Sequence, residues 1–233
     1  MNERITFRKN EHLRTVNPRW RGNPSVGGKF FNRQHRWRPG VGSVLKWRFS
    51  PNPQRKEKRQ VKWNPRIHYL RSLDAAVGNC LIWLGHNSFF LQLGGKRFMI
   101  DPVYGSIPFV KRRSEFPASP SIFRDIDYLL ISHDHFDHLD KPSVAKLVAG
   151  NPRMKLFCGI GTGRLIQGWF PSLQVIEAAW YQQYVDGDLR LTFLPAQHWS
   201  KRGVRDGGER LWGAFMIEAD HITIYNSGDT GYA

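Results

Sequence analysis

The run IDYLLISHDHFDH, residues 126–138, decides how this chain folds and where its chemistry sits. Its first seven residues read as a buried strand ending at Ser132. The next six carry His133, His135 and His138 together with Asp134 and Asp137. Three imidazoles and two carboxylates crowded at the C-terminal end of a strand are costly unless a cation gathers them. His133 and His135 are two residues apart, so in an extended segment both project to one side and can give two ring nitrogens to one ion. Asp137 and His138 lie beyond them and can turn toward a second ion. Nitrogen and oxygen donors of this kind suit zinc, with iron or manganese as alternatives.

Outward from this run, two more residues fit the same pattern. His198 follows the strand-like LTFLPAQ, and Asp229 follows ITIYNSG. Each again stands at the end of an apolar run, where loops converge. A carboxylate such as Asp229 can bridge two ions held about 3.5–4 Å apart. The intervening sequence supplies the scaffold. Cys80–Leu84, Phe89–Leu93 and Arg97–Ile100 read as strands, with Gly94-Gly95 as a two-residue hairpin turn. Asp140 is placed to cap a helix over Pro142–Ala149. Lys155–Cys158, Gln174–Glu177, Tyr184–Val185 and Leu189–Leu194 are further strands, with a short helix near Gly163–Trp169. Leu211–Glu218 and Ile222–Tyr225 form a last hairpin. Strands with interspersed helices make the class mixed α/β.

The 233 residues suffice for a sizeable core, and 40% apolar with 23% charged residues excludes an intrinsically disordered chain. Two cysteines, Cys80 and Cys158, build no disulfide scaffold and suit a reducing compartment. With no apolar stretch of membrane-spanning length and no apolar core to its N-terminus, the chain reads as cytoplasmic, meeting membranes at most peripherally.

The charge is placed unevenly. Residues 1–72 hold 19 Lys and Arg against three acids, whereas residues 73–233 hold 16 of each sign, so the whole net charge of +16 lies in the first third. Prolines at 18, 24, 39, 51, 53 and 65 and several glycines forbid long regular elements there. The aromatics Trp20, Phe30, Phe31, Trp37, Trp47, Phe49 and Trp63 are too many for a purely solvated tail. Residues 1–72 are therefore an irregular basic extension that packs in part on a domain spanning 73–233. Its exposed face fits an anionic membrane surface, nucleic acid or simple solvation. No nucleic-acid-binding motif accompanies it.

HDHFDH resembles the HxHxDH signature of the metallo-β-lactamase superfamily. WLGHNSFF, PAQHWSKR, LWGAF and SGDTGY resemble the branch that contains N-acyl phosphatidylethanolamine-hydrolysing phospholipase D and its bacterial relatives. The likeness covers about residues 80–233. It implies an αββα sandwich with a dinuclear metal centre at one edge, usually zinc. By position, His133, His135 and His198 would hold one ion, Asp137 and His138 a second, with Asp229 between them. His86 would lie near the site. Asp137 and Asp229 would orient a metal-activated water and move a proton to the leaving group. Lys201, Arg202 and Arg205 are candidates for contacting a substrate phosphate. The implied substrate is a phospholipid phosphodiester. A small soluble ester or lactone is the alternative, as is an inactive chain that binds anionic surfaces through its basic arm. In that family a further histidine beyond the bridging aspartate completes the second site. The sequence stops at Ala233, so the expectation is a sandwich lacking its C-terminal portion, with a weak second metal site and little turnover.

Overall fold

The computed structural model describes residues 4–32, 42, 45–46, 49–61, 66–73, 78–108, 111–112 and 114–231. Expectations placed on Trp37, Trp47, Trp63, Pro39 and Pro65 lie outside the described residues. The basic segment opens with four short strands, β1 (Thr6–Arg8), β2 (Arg14–Thr15), β3 (Asn23–Val26) and β4 (Lys29–Phe30). None exceeds four residues, as the density of proline and glycine requires. β1, β3 and β4 form a small antiparallel sheet of their own. Further along, helix α1 (Arg55–Gln60) exposes every residue.

The orderly region begins with β5 (Cys80–Gly85), β6 (Ser88–Leu93) and β7 (Lys96–Ile100), an antiparallel meander. The turn at Gly94-Gly95 has positive φ at both residues, 56° and 73°, as a tight two-residue hairpin demands. Next come β8 (Tyr128–Ile131), α2 (Lys141–Gly150), β9 (Lys155–Gly159), α3 (Thr162–Gln167) and β10 (Gln174–Ala178). Asp140 caps α2, its side chain accepting from the Ser143 amide. β7 through β10 run parallel, giving a six-stranded sheet in the order β10-β9-β8-β7-β6-β5.

A second sheet follows from β11 (Gln182–Asp186), β12 (Leu189–Leu194), β13 (Ala214–Ala219) and β14 (Ile222–Asn226), all antiparallel. Its fifth strand is β2 from the basic segment, which pairs with β11. Residues 211–213 are not the strand start that their apolarity predicts. The Leu211 and Gly213 amides bond instead to the carbonyls of Ile160 and Ser132, joining the two sheets.

The core has two layers of apolar contact, and β8 shows why. Its four residues are all buried, with Tyr128 and Leu130 facing one way and Leu129 and Ile131 the other. The first pair meets Leu191, Phe193, Phe215 and Ile217 of the second sheet. The second pair meets Val144 and Leu147 of α2 and Ile166 of α3. A strand buried on both faces loses the polar alternation of an edge strand and reads as a continuous apolar run. The described residues thus stack helix, sheet and sheet, three layers of the expected sandwich. Phe30, at the end of β4, is buried in the core between the sheets.

Strand direction sets up the site. β5, being antiparallel to β6, points the same way as β7 and β8, so the C-terminal ends of all three reach one rim. β12 and β14 likewise run parallel to each other across β13.

Candidate metal centre

Several strand ends at this rim deliver donors. His133, His135 and His138 follow β8, His198 follows β12, Asp229 follows β14, and His86 lies in the turn between β5 and β6. The Nε2 of His133 stands 2.9 Å from His135 Nδ1 and 3.1 Å from His198 Nε2. His198 Nε2 is 3.1 Å from His135 Nδ1, closing a triangle. Nitrogens bound tetrahedrally at ~2.0–2.1 Å from one ion would lie roughly 3.3 Å apart, so this triangle is nearly of the required size.

The protons agree with that reading. Ser132 Oγ donates to Asp101 Oδ2 at 2.6 Å and so is free to accept from His133 Nδ1 at 3.0 Å, which leaves a lone pair on His133 Nε2. His135 Nε2 is buried without a hydrogen-bond partner, its ring edge-on to Trp199 at 4.3 Å, and is the place for that ring's proton. Burial pushes the pKa of His133 well below its ordinary value, aided by the three neighbouring imidazoles. Burial and His198 bring His135 to about 4, and burial also lowers His198. Three neutral imidazoles aiming lone pairs at one point are a donor set for a cation.

A second group adjoins the first. His86 Nε2 is 3.0 Å from Asp137 Oδ2, and His138 Nε2 is 3.9 Å from the same oxygen. Asp229 Oδ1 lies 3.3 Å from His138 Nε2, and donor atoms of His133, His138 and Asp229 all fall within 4.8 Å of one another. Asp229 thereby stands between the two groups. Burial alone would depress His138, but Asp101 and Asp229 outweigh it and raise it to about 10. In return the hydrogen bond from His138 holds Asp229 at about 2. Without an ion, His138 carries a positive charge between two carboxylates.

Two participants, Asp101 and Asn87, were not legible as site residues in the sequence, and a third, Asp134, is placed otherwise than its crowding with the donors suggests. Asp101, directly after β7, is buried with φ 42° and accepts from the Ser132 amide (2.8 Å), Ser132 Oγ and His138 Nδ1 (2.8 Å). It fixes the His138 ring so that Nε2 faces outward. Asn87 donates from Nδ2 to Asp229 Oδ1 at 2.9 Å, with His138 Nε2 3.1 Å away. Asp134 points away from the donors, into the loop after His198. It pairs with the buried Arg210 and accepts from the Lys201 amide. A lone Asp before a proline, as at Asp101-Pro102, reads only as a turn. Its place at the end of a buried strand was the available signal.

Of the three basic residues after His198, Arg202 is placed otherwise than expected. Arg202 turns inward, donating to the Asp134 and Leu139 carbonyls at 2.9 and 2.7 Å and lying 4.1 Å over the Phe136 ring. It braces the ligand loop and is taken up by those carbonyls. Lys201 and Arg205 line a separate groove with Lys29, Phe30, Trp199 and Trp212. The cleft beside His86 and Asp137 is lined instead by Val103, Ile107, Lys111 and Arg112. Arg112 is held there by the carbonyls of Leu84, Val103 and Ser114.

The loops are stitched together tightly. Gln197 N donates to Thr230 Oγ1, and Gly231 N to the Gln197 carbonyl, both at 2.9 Å. Gly228 has φ 53°, and a Cβ there would come within 2.9 Å of Ser132 Cβ and 3.1 Å of the Gly213 carbonyl oxygen. From the basic segment, Asn32 Nδ2 donates to the His198 carbonyl at 2.7 Å.

Sequence comparison matches residues 96–233 to the family described as the beta-lactamase superfamily domain. N-acyl-phosphatidylethanolamine-hydrolyzing phospholipase D 1 of Caenorhabditis elegans is 28% identical, over 90% of this chain and 65% of its own length. The UPF0173 metal-dependent hydrolase SSO0099 of Saccharolobus solfataricus is 30% identical, over 65% of this chain and 61% of its own. The chain thus spans less than two thirds of either relative. Among solved structures, isothiocyanate hydrolase from Delia radicum gut bacteria shares the fold, with a TM-score of 0.52 at 16% identity, over 66% of this chain and 63% of that one. The strand-end histidines, the layered sheets and the matched span agree: this chain belongs to the β-lactamase superfamily domain family.

Proposed function

We propose that this chain is the metal-binding part of a hydrolase that cleaves a phospholipid phosphodiester of the N-acyl phosphatidylethanolamine kind. The observation that carries the metal-dependent reading is the triangle of His133, His135 and His198 nitrogens, with Asp137, His138 and Asp229 beside it. Zinc suits these donors, and iron or manganese fit the same set. An ion held there supplies Lewis acidity and makes water a nucleophile near neutral pH. The chain's own residues do the rest. Asp229, ionised at neutral pH, accepts a hydrogen bond from the attacking water and orients it. Asp137, with a third of its side chain exposed and bordering the cleft, is placed to take the proton that this water loses and pass it to the leaving alkoxide. Val103 and Ile107 give the cleft apolar walls, and Lys111 offers a charge for a phosphate oxygen. That combination suits a headgroup joined to a hydrocarbon chain.

The phospholipid half of the reading is supported by the extent of the nematode match. At 90% of this chain it must take in most of the first 72 residues, whereas the archaeal hydrolase covers 65%. The basic segment, with Arg55, Lys56, Lys58 and Arg59 exposed on α1, would then meet anionic lipid. The archaeal likeness favours a second reading, a small soluble ester or lactone as substrate. The test is to load the protein with zinc and offer it N-acyl phosphatidylethanolamine in mixed micelles alongside a series of soluble lactones. Release of phosphatidic acid is the expected outcome. Lactone opening with the lipid left intact would overturn the phospholipid assignment in favour of the second reading.

A further inference from the structure

We propose that Asp134 and Arg210 form a positioning pair that sets the spacing of the three-histidine site. The inference rests on the metal-dependent reading above. Asp134 stands between His133 and His135 in the chain, yet its buried carboxylate is turned to the loop that follows His198. Oδ1 accepts from the Lys201 amide at 3.0 Å, and Oδ2 pairs with Arg210 Nε. Arg210 is buried too, and its Nη2 reaches Asp206. Asp206 in turn accepts from the amides of Arg202 at 3.1 Å and Gly203 at 2.7 Å. The chain leaving His198 is thus closed on itself by one carboxylate and fastened to the histidine loop by the other.

Arg210 is the fixed end of this chain of contacts. The next amide, Leu211, donates to the Ile160 carbonyl at 2.8 Å where the two sheets join. Gly161 passes so close that an added Cβ would lie 3.3 Å from Arg210 Cα. With Arg210 held, Asp134 locates His133 and His135 relative to His198, whose Nε2 lies 3.1 Å from a nitrogen of each. A shift of either loop would undo that spacing. A buried ion pair is a poor source of stability, because desolvation can outweigh the attraction, and its best-attested use is to fix one register among several. Asp134 therefore acts on the ion through its two neighbours in the chain rather than as a donor to it.

The competing account is that the pair only keeps the loop folded. Asp134→Asn retains an oxygen for the Lys201 amide but sets an N–H against Arg210 Nε. Arg210→Lys retains the charge but cannot span Asp134 and Asp206 together. The natural chain, both variants and their double are titrated with Zn²⁺ against a chelator, and their Co²⁺ forms are compared by visible absorption, whose bands report ligand geometry. Urea melts of the metal-free proteins record stability alone. The expected result is a ~10–100-fold loss of affinity for the tightest-held ion in each variant, the scale of an outer-shell partner. Altered Co²⁺ bands accompany it, and the double variant is no worse than the poorer single. Natural affinity and natural bands in the variants, whatever their urea midpoints, would overturn the positioning role, and additive losses would overturn the pairing. If those variants do not fold, Asp206→Asn decides, since it loosens only the outer, partly exposed link. A smaller change of the same sign there supports the proposal, and unchanged bands overturn it. A natural chain that binds no ion at all would remove the metal-dependent reading and this inference with it.

Discussion

The ligand loop and the basic N-terminal segment are opposites in sequence and partners in space. Residues 133–138 concentrate their meaning locally: six consecutive side chains carry most of the site's donors. Residues 4–32 carry theirs at long range. β2 pairs Thr15 with Gln182, Asn10 binds the Gln182 side chain and the Glu177 carbonyl, and Asn32 holds the His198 backbone. Composition describes the first region well and the second only in part: its aromatics announce packing, but not which strands and loops receive it. A strongly basic, proline-broken stretch resembles a tail, yet part of it completes a sheet and supports a metal-site loop. Charge density says what a surface attracts; where the backbone runs depends on who receives its amides.

That contrast can be broken at several points. His133→Ala should have the largest effect, emptying the first site with a loss beyond ~100-fold in zinc affinity, since even outer-shell changes reach that scale. Metal analysis after dialysis checks it, and retention of a tightly held ion would contradict the assignment. Phe30→Ala tests whether the basic segment is structural. A fully buried phenylalanine replaced by alanine costs about 3–5 kcal/mol, to be read from urea melts, whereas a true tail would lose nothing. Asp101→Asn, which tolerates the same backbone angle, should weaken metal binding by about 10–100-fold through the loosened His138 ring, measurable by chelator competition.

Acidity sharpens the comparison further. In metal-free protein, His133, His135 and His198 bind protons less readily folded than unfolded. The unfolded chain therefore takes up more protons as pH falls from 6.5 toward about 4, and stability should drop across that window. His138 acts in the other direction: its contribution is full below 6.5 and is lost as pH rises through about 10. Chemical melts at pH 7 and pH 5 should show the decline, and zinc should steepen the dependence because ligands must be deprotonated to bind. The smallest effect is expected from neutralising Arg55, Lys56, Lys58 and Arg59 together. Each is exposed, so stability should move by less than about 0.5 kcal/mol per site, while retention on anionic vesicles, measured by sedimentation, should fall.

Most strands were legible because apolar runs and turn residues coincide. The β6–β7 hairpin at Gly94-Gly95 and the Asp140-capped helix are where sequence alone puts them. The gathering of His133, His135 and His198 was legible because each follows an apolar run, and parallel strands end at one rim. What escaped the sequence depended on contacts between distant residues. Asp101 gains its role from Ser132 and His138, more than thirty residues away. Arg202, a plausible phosphate contact by charge, is turned inward by two carbonyls whose proximity no local pattern reveals. Residues 211–213 are apolar enough for a strand, but their amides are received by the other sheet.

Gly228 has a consequence of its own. It leaves no room for even one added carbon between the chain leading to Asp229 and the chain leading to His133. A methyl group there would act as a wedge, shifting the carboxylate without deleting any donor. Gly228→Ala would thus separate two things that ligand deletions confound: possessing the right atoms, and holding them at the right spacing.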